Sequence, residues 1–104
     1  QKKQPMSRYS IPSTTNPAHT IHYGFDRPLQ EFFVQVTTTE LDESNPGRSA
    51  DLILMLGTEN VLFPDPKNPS KQHYSSYDLL ELIRDYGGEL PEHHILGLAM
   101  GFEF

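Results

Sequence analysis

The chain has 104 residues, enough for one hydrophobic core, and its 36% apolar residues set against nine prolines imply a small core with extensive loops. Fourteen carboxylates against eight Lys and Arg give a formal charge of −6, or −8 without Lys2 and Lys3, so the surface repels phosphate backbones and anionic lipid. Without cysteine there is no disulfide, thiolate metal site or thiol nucleophile, and no apolar run approaches the roughly 18 residues of a membrane helix. These features lead to the expectation of a cytoplasmic protein that binds neither nucleic acid nor membrane and favours basic protein partners.

Residues 1–6 read as a disordered tail or the scar of processing, and 7–104 as a single α+β domain. From 7 to 17 the chain is polar, with Pro12, Pro17 and the cluster Ser13-Thr14-Thr15-Asn16, which reads as an arm with at most a short strand around Arg8 to Ile11. Over 19–25, His19, Ile21, Tyr23 and Phe25 alternate with Thr20, His22 and Gly24, the period of a strand with one buried face. Asp26-Arg27-Pro28 supplies a turn, and over 31–38 Phe32, Val34 and Val36 alternate with Phe33, Gln35 and Thr37. So short a link makes the two strands an antiparallel hairpin.

Residues 39–49, with Glu40, Asp42, Glu43, Pro46 and Gly47, have the composition of a solvated loop. Over 51–57 the uninterrupted run Leu52-Ile53-Leu54-Met55-Leu56 predicts a central strand buried on both faces. Pro64, Pro66 and Pro69 make 60–72 a loop or covering arm. A helix over 76–86 follows, capped by Ser75 or Ser76, with Asp78 in its first turn. Its apolar stripe is Leu79, Leu80, Leu82, Ile83 and Tyr86, with Glu81, Arg84 and Asp85 outward and Gly87-Gly88 as its stop. Pro91 suits the start of a second short helix over 91–100, the alternative being an irregular apolar tail. The expected fold is thus α+β, with a three- to four-stranded antiparallel sheet and the helices on one face.

No motif assigns a catalytic residue, a metal site or a cofactor. HExxH, GxSxG, GxGxxG and the P-loop are all missing. His19 and His22, three apart on a strand, point to opposite faces, and the adjacent His93 and His94 diverge by about 100° on a helix. Only a cluster through space of His73, His93 or His94 with Glu89 or Glu92 would bring metal ligands together. Gly97 and Gly101 form a GxxxG in a run too short for a bilayer, which reads as close packing on the sheet. Phe102-Glu103-Phe104 offers two rings that either dock on the core or anchor an interface. The candidate partner-binding residues are therefore Phe25, Asp26 and Arg27 at the turn, and Phe102 and Phe104.

Tyr9-Ser10-Ile11-Pro12, Asn16-Pro17 and His19, followed by Gly24-Phe25-Asp26-Arg27-Pro28-Leu29 and Phe32-Phe33, resemble the opening of a group of small uncharacterised bacterial proteins. That group has a Gly-aromatic-Asp-x-Pro-Leu turn before a Phe-rich strand, and Gly57-Thr58 after an apolar strand is also similar. The resemblance spans residues 8–58 and implies a bacterial or mobile-element setting, without a function. The leading expectation is a non-enzymatic accessory or regulatory protein that acts through protein contacts, as a homodimer. Two alternatives are an acidic inhibitor that mimics nucleic acid and a small metal-dependent or hydrolytic enzyme.

Overall fold

The alternation over 19–38 resolves into a hairpin in which Ile21 faces Val36, Tyr23 faces Val34 and Phe25 faces Phe32, which places every large apolar residue of one parity on one face. The computed structural model describes residues 6–38 and 51–104. Its strands β1 (Met6–Pro12), β2 (His19–Asp26), β3 (Glu31–Thr38), β4 (Leu52–Gly57) and β5 (Val61–Phe63) form one antiparallel meander in chain order. Two helices follow, α1 (Ser76–Asp85) and α2 (Glu92–Met100). Of the tail expected over 1–6, Met6 opens β1 and residues 1–5 lie outside the described residues, as does the acidic loop Glu40 to Glu43.

The class is the expected α+β, but the sheet has five strands rather than three or four. The N-terminal arm pairs with β2 along its whole length, from Met6 opposite Asp26 to Pro12 opposite Thr20. Arg8 and Ser10 fall on the face that the helices leave open and Tyr9 and Ile11 on the other, but Ser7 stands opposite Phe25 on the covered side, which leaves only Arg8 to Ile11 with a readable alternation. Pro12 is tolerated because it closes an edge strand. The other addition, β5, is three residues inserted just before Pro64, too short to leave a pattern. The apolar run of β4 is also corrected. Leu54 and Leu56 are buried while Ile53 and Met55 are only half-buried, so the strand has one buried face like its neighbours.

α1 closes the buried face. Its start is a capping box in which Ser75 accepts from the Asp78 amide and Asp78 accepts from the Ser75 amide, both at 3.0 Å. Leu79, Leu80, Leu82 and Ile83 turn inward and are almost wholly buried, each stabilising the fold by about 1.5–3 kcal/mol. The far end is finished by the β1–β2 connection. Buried Ser13 donates its hydroxyl to the Tyr86 carbonyl at 2.6 Å, and the Thr14 amide donates to the Gly87 carbonyl at 2.8 Å. The polar cluster at 13–16 thus satisfies the carbonyls that the end of α1 leaves unpaired.

α2 is held differently, since it buries only His94, Gly97 and Leu98. The Tyr23 hydroxyl lies 2.5 Å from His94 Nδ1, with both residues buried. Burial, and then Tyr9 beside it, pushes the Tyr23 pKa up to about 12, so the hydroxyl keeps its proton and donates. Around the pair, Tyr9 lies 4.2 Å and Phe104 4.8 Å from the imidazole, centroid to centroid. Gly97 makes the Phe104 contact available, because a Cβ there would collide with the Phe104 ring and stand 2.9 Å from the Phe102 carbonyl oxygen. The GxxxG motif is therefore not a packing stripe against the sheet: Gly97 admits the segment after α2, and Gly101 ends the helix at φ +80°.

Tyr23→Phe leaves His94 Nδ1 buried without its donor and is expected to cost about 1–3 kcal/mol in urea unfolding. Burial, aided by His93, holds the His94 pKa below its ordinary 6.5, and burial with Arg8 does the same for His22. The unfolded chain therefore takes up protons at a higher pH than the folded one. Stability should be full above about pH 6.5 and decline as the pH falls below it, until the folded-state values are passed. Unfolding free energies measured at pH 7.5 and pH 5 should show this loss, reduced in His22→Asn.

Candidate functional site

With both helices on one side, the other face of the sheet carries Arg8, His22, Gly24, Phe33, Gln35 and Met55, by strand parity. Gly24 decides the local relief. A side chain there would strike the Ser7 carbonyl oxygen and come within 3.1 Å of Phe33 Cζ, so its absence lets the Phe33 ring lie across the face. Arg8 reaches over the same ground, its guanidinium carbon 5.8 Å from the Phe33 centroid and its Nη2 donating to Gln35 Oε1 at 3.2 Å.

A hollow of about 200 Å³ opens beside this pair. Leu29, Phe33, Met55 and Leu62 line it, with Arg8, Asp26 and Glu31 supplying charge of both signs. Leu29 from the β2–β3 turn and Leu62 from β5 are about 60% exposed, at 60% and 62%. Each stands where a turn or a chain edge ordinarily carries a polar residue. Glu31, though 8% exposed, is engaged through Oε1 with the Glu59 amide at 3.1 Å and so braces the β4–β5 turn.

The same face holds one arrangement with the outline of a catalytic relay. Ser10 Oγ is 2.8 Å from His22 Nδ1, and His22 Nε2 is 3.2 Å from Thr37 Oγ1. A relay needs its third group to stabilise the imidazolium that forms when the serine is deprotonated, and a neutral hydroxyl does not. The lowered His22 pKa works against that imidazolium as well. Ser10, His22 and Thr37 line neither this hollow nor the cleft along α1, so the trio is a cross-strand hydrogen-bond network on an open sheet.

The histidines separate as their spacing implies. His19 faces the Tyr86 ring at 6.1 Å, on the side opposite His22. His94 turns into the core while His93 is exposed. Among the described residues no group of three or more His, Asp or Glu could hold a metal ion. No helix among them is long and apolar enough to cross a membrane.

The five candidate partner-binding residues do not form one surface. Phe25 is 7% exposed and packs edge-on against Phe32 at 4.8 Å, within the core. Asp26 accepts from the Leu29 amide at 3.3 Å and borders the open-face hollow. Arg27 pairs with Glu103 at 2.6 Å, tying the turn to the segment after α2. Phe104 folds back on Tyr9, His94 and Phe32, and the Ser7 hydroxyl donates to its carbonyl oxygen, whereas Phe102 is exposed. Sequence reasoning passed over Leu29, Phe33, Met55 and Leu62. Two of them, Leu29 and Leu62, were detectable as large apolar residues, one next to Pro28 and the other two positions before Pro64, in segments with turn composition.

No protein-family model matches the chain, and no curated protein or solved structure shows significant similarity to it. Function has to be read from these residues alone.

Proposed function

We propose that this chain is a non-enzymatic binding module that acts through protein contacts, using the uncovered face of its sheet. The observation that carries the reading is the hollow lined by Leu29, Phe33, Met55 and Leu62, with Arg8 across it. Arg, Met and Phe gathered around a concavity are the composition of an interface centre, where one protruding apolar side chain is buried and the charged rim sets its orientation. The net charge of −6 selects among partners, because it draws basic surfaces by long-range attraction and slows the approach of acidic ones. The partner that fits is a basic protein presenting an apolar side chain to the hollow.

A photo-crosslinking amino acid placed at position 62 or 29 tests this in cells of the source organism. Adducts of one defined mass are expected from both positions, and none from position 77 on the exposed side of α1. Leu62→Asp should reduce capture at position 29 at least about tenfold while changing stability by no more than about 0.5 kcal/mol, since Leu62 is exposed. An adduct of twice the chain mass would identify a second copy as the occupant in place of a basic partner. Capture from position 77 alone, or from no position, would refute the reading.

A further inference from the structure

The segment that joins β5 to α1 does not hang free. Asp65, 5% exposed, takes two hydrogen bonds on Oδ1, from the Tyr86 hydroxyl at 2.6 Å and the Lys67 amide at 3.0 Å. Its carbonyl accepts from the Asn68 amide at 2.9 Å. Together these bonds seat the Pro-rich segment against α1. Between the two lies a cleft of about 290 Å³, on the helical side of the sheet and separate from the open-face hollow.

Four carboxylates line this cleft, Asp65, Asp78, Glu81 and Asp85, against the two ammonium groups of Lys67 and Lys71. Both lysines are already engaged. Lys67 Nζ sits 4.1 Å from the Tyr86 ring centroid, and Lys71 Nζ lies 5.0 Å from that of Tyr74 and 3.6 Å from Asp78. The balance of charge left for a ligand is negative. These contacts also show that rings and carboxylates here already gather organic cations.

Tyr74 is the one lining group that folding does not account for. It is 6% exposed, and its buried hydroxyl has no hydrogen-bond partner among the described residues. A buried hydroxyl left unpaired is costly and calls for an explanation. Burial, then Asp65 and Asp78, raise its pKa, so the hydroxyl stays protonated in a field set by the two cleft carboxylates. Its lone pairs take no donor among the described residues, and that field attracts positive charge.

We propose that this cleft binds an organic cation rich in N–H donors, a guanidinium or a primary ammonium, held by the Tyr74 hydroxyl together with the carboxylates of Asp65, Glu81 and Asp85. The chemistry is shared by an arginine side chain of a partner and by a free polyamine. A metal ion does not fit, since among the described residues no three ligating groups converge. An anion would meet four carboxylates.

NMR titration of the full chain with N-acetyl-arginine amide, with spermidine and with inorganic phosphate tests the site. Saturable shifts are expected for at least one of the two cations, centred on Tyr74 and α1, and none for phosphate. Tyr74→Phe keeps the ring and removes only the hydroxyl. It should weaken cation binding about five- to tenfold while leaving the ligand-free melting temperature unchanged or higher, because the lost group had no partner in the fold. Glu81→Gln with Asp85→Asn, both exposed positions, should weaken binding without loss of structure. Tighter binding of the arginine derivative points to a protein side chain as the natural ligand, and tighter binding of spermidine to a polyamine. Any one of three results overturns the proposal: no saturation by either cation up to about 10 mM, Tyr74→Phe binding as well as the parent, or a lower melting temperature for that variant.

Discussion

The hydrogen bond between Tyr23 and His94 is the constraint that fixes α2 on the sheet. Tyr23 sits on the second of five strands, flanked by Tyr9 on β1 and Val34 on β3, so its position is set by two ladders. His94 is the buried polar group of α2, a helix in which Leu98 is the one large apolar side chain fully buried, with Ile95 and Ala99 packed against the core only in part. Hydrophobic burial alone therefore gives α2 little to hold its rotation. The polar pair supplies that specificity, and the aromatic residues around it exclude the water that would compete for it. Gly97 and Phe104 complete the arrangement, since one admits the other over the imidazole.

A second consequence is the inequality of the two sheet faces. Helices cover the side of Ile21, Tyr23, Val34, Val36, Leu54 and Leu56, and the chain has no third helix among the described residues for the other. Among the described residues that side is covered by side chains alone. Arg8 spans Phe33 and Gln35, and Ser10, His22 and Thr37 bond across strands. Where this cover stops, near the β2–β3 turn and β5, apolar side chains stand exposed around a concavity. Of the two register shifts in the sheet, the one at Met55/Leu56 lies beside this concavity and the one at Val36/Thr37 at the opposite end of β3.

The Pro-rich segment acts as a third layer. Three prolines prevent regular structure there, yet Asp65 reaches the Tyr86 hydroxyl behind α1 and fixes the segment in place. α1 is thus clasped at its C-terminal end twice, by Ser13 from the sheet side and by Asp65 through Tyr86. The two hollows described above follow from this layering: one lies on the open sheet, the other between α1 and the segment that covers it.

The hairpin of β2 and β3 and the stripe of α1 were legible because local periodicity and burial agree there. Ile21 to Phe25 and Phe32 to Val36 alternate, and Leu79 to Tyr86 repeat at helical spacing, before any contact is known. Of β1 only a short strand around Arg8 to Ile11 was legible, and β5 was not. Arg8 and Ser10 are strand residues because β2 offers them a ladder, and the three residues of β5 pair only because β4 is already in place. The candidate sites lie further still from local signals. The Tyr74 hydroxyl without a partner among the described residues, Asp65 beneath Tyr86 and Leu29 beside Leu62 depend on how separate segments of the chain meet. Residue pattern determined the α+β class and the strands and helix whose periodicity is their own. Which residues meet on its surfaces was decided by tertiary packing, since burial, pairing and unpaired polar groups are properties of neighbours in space.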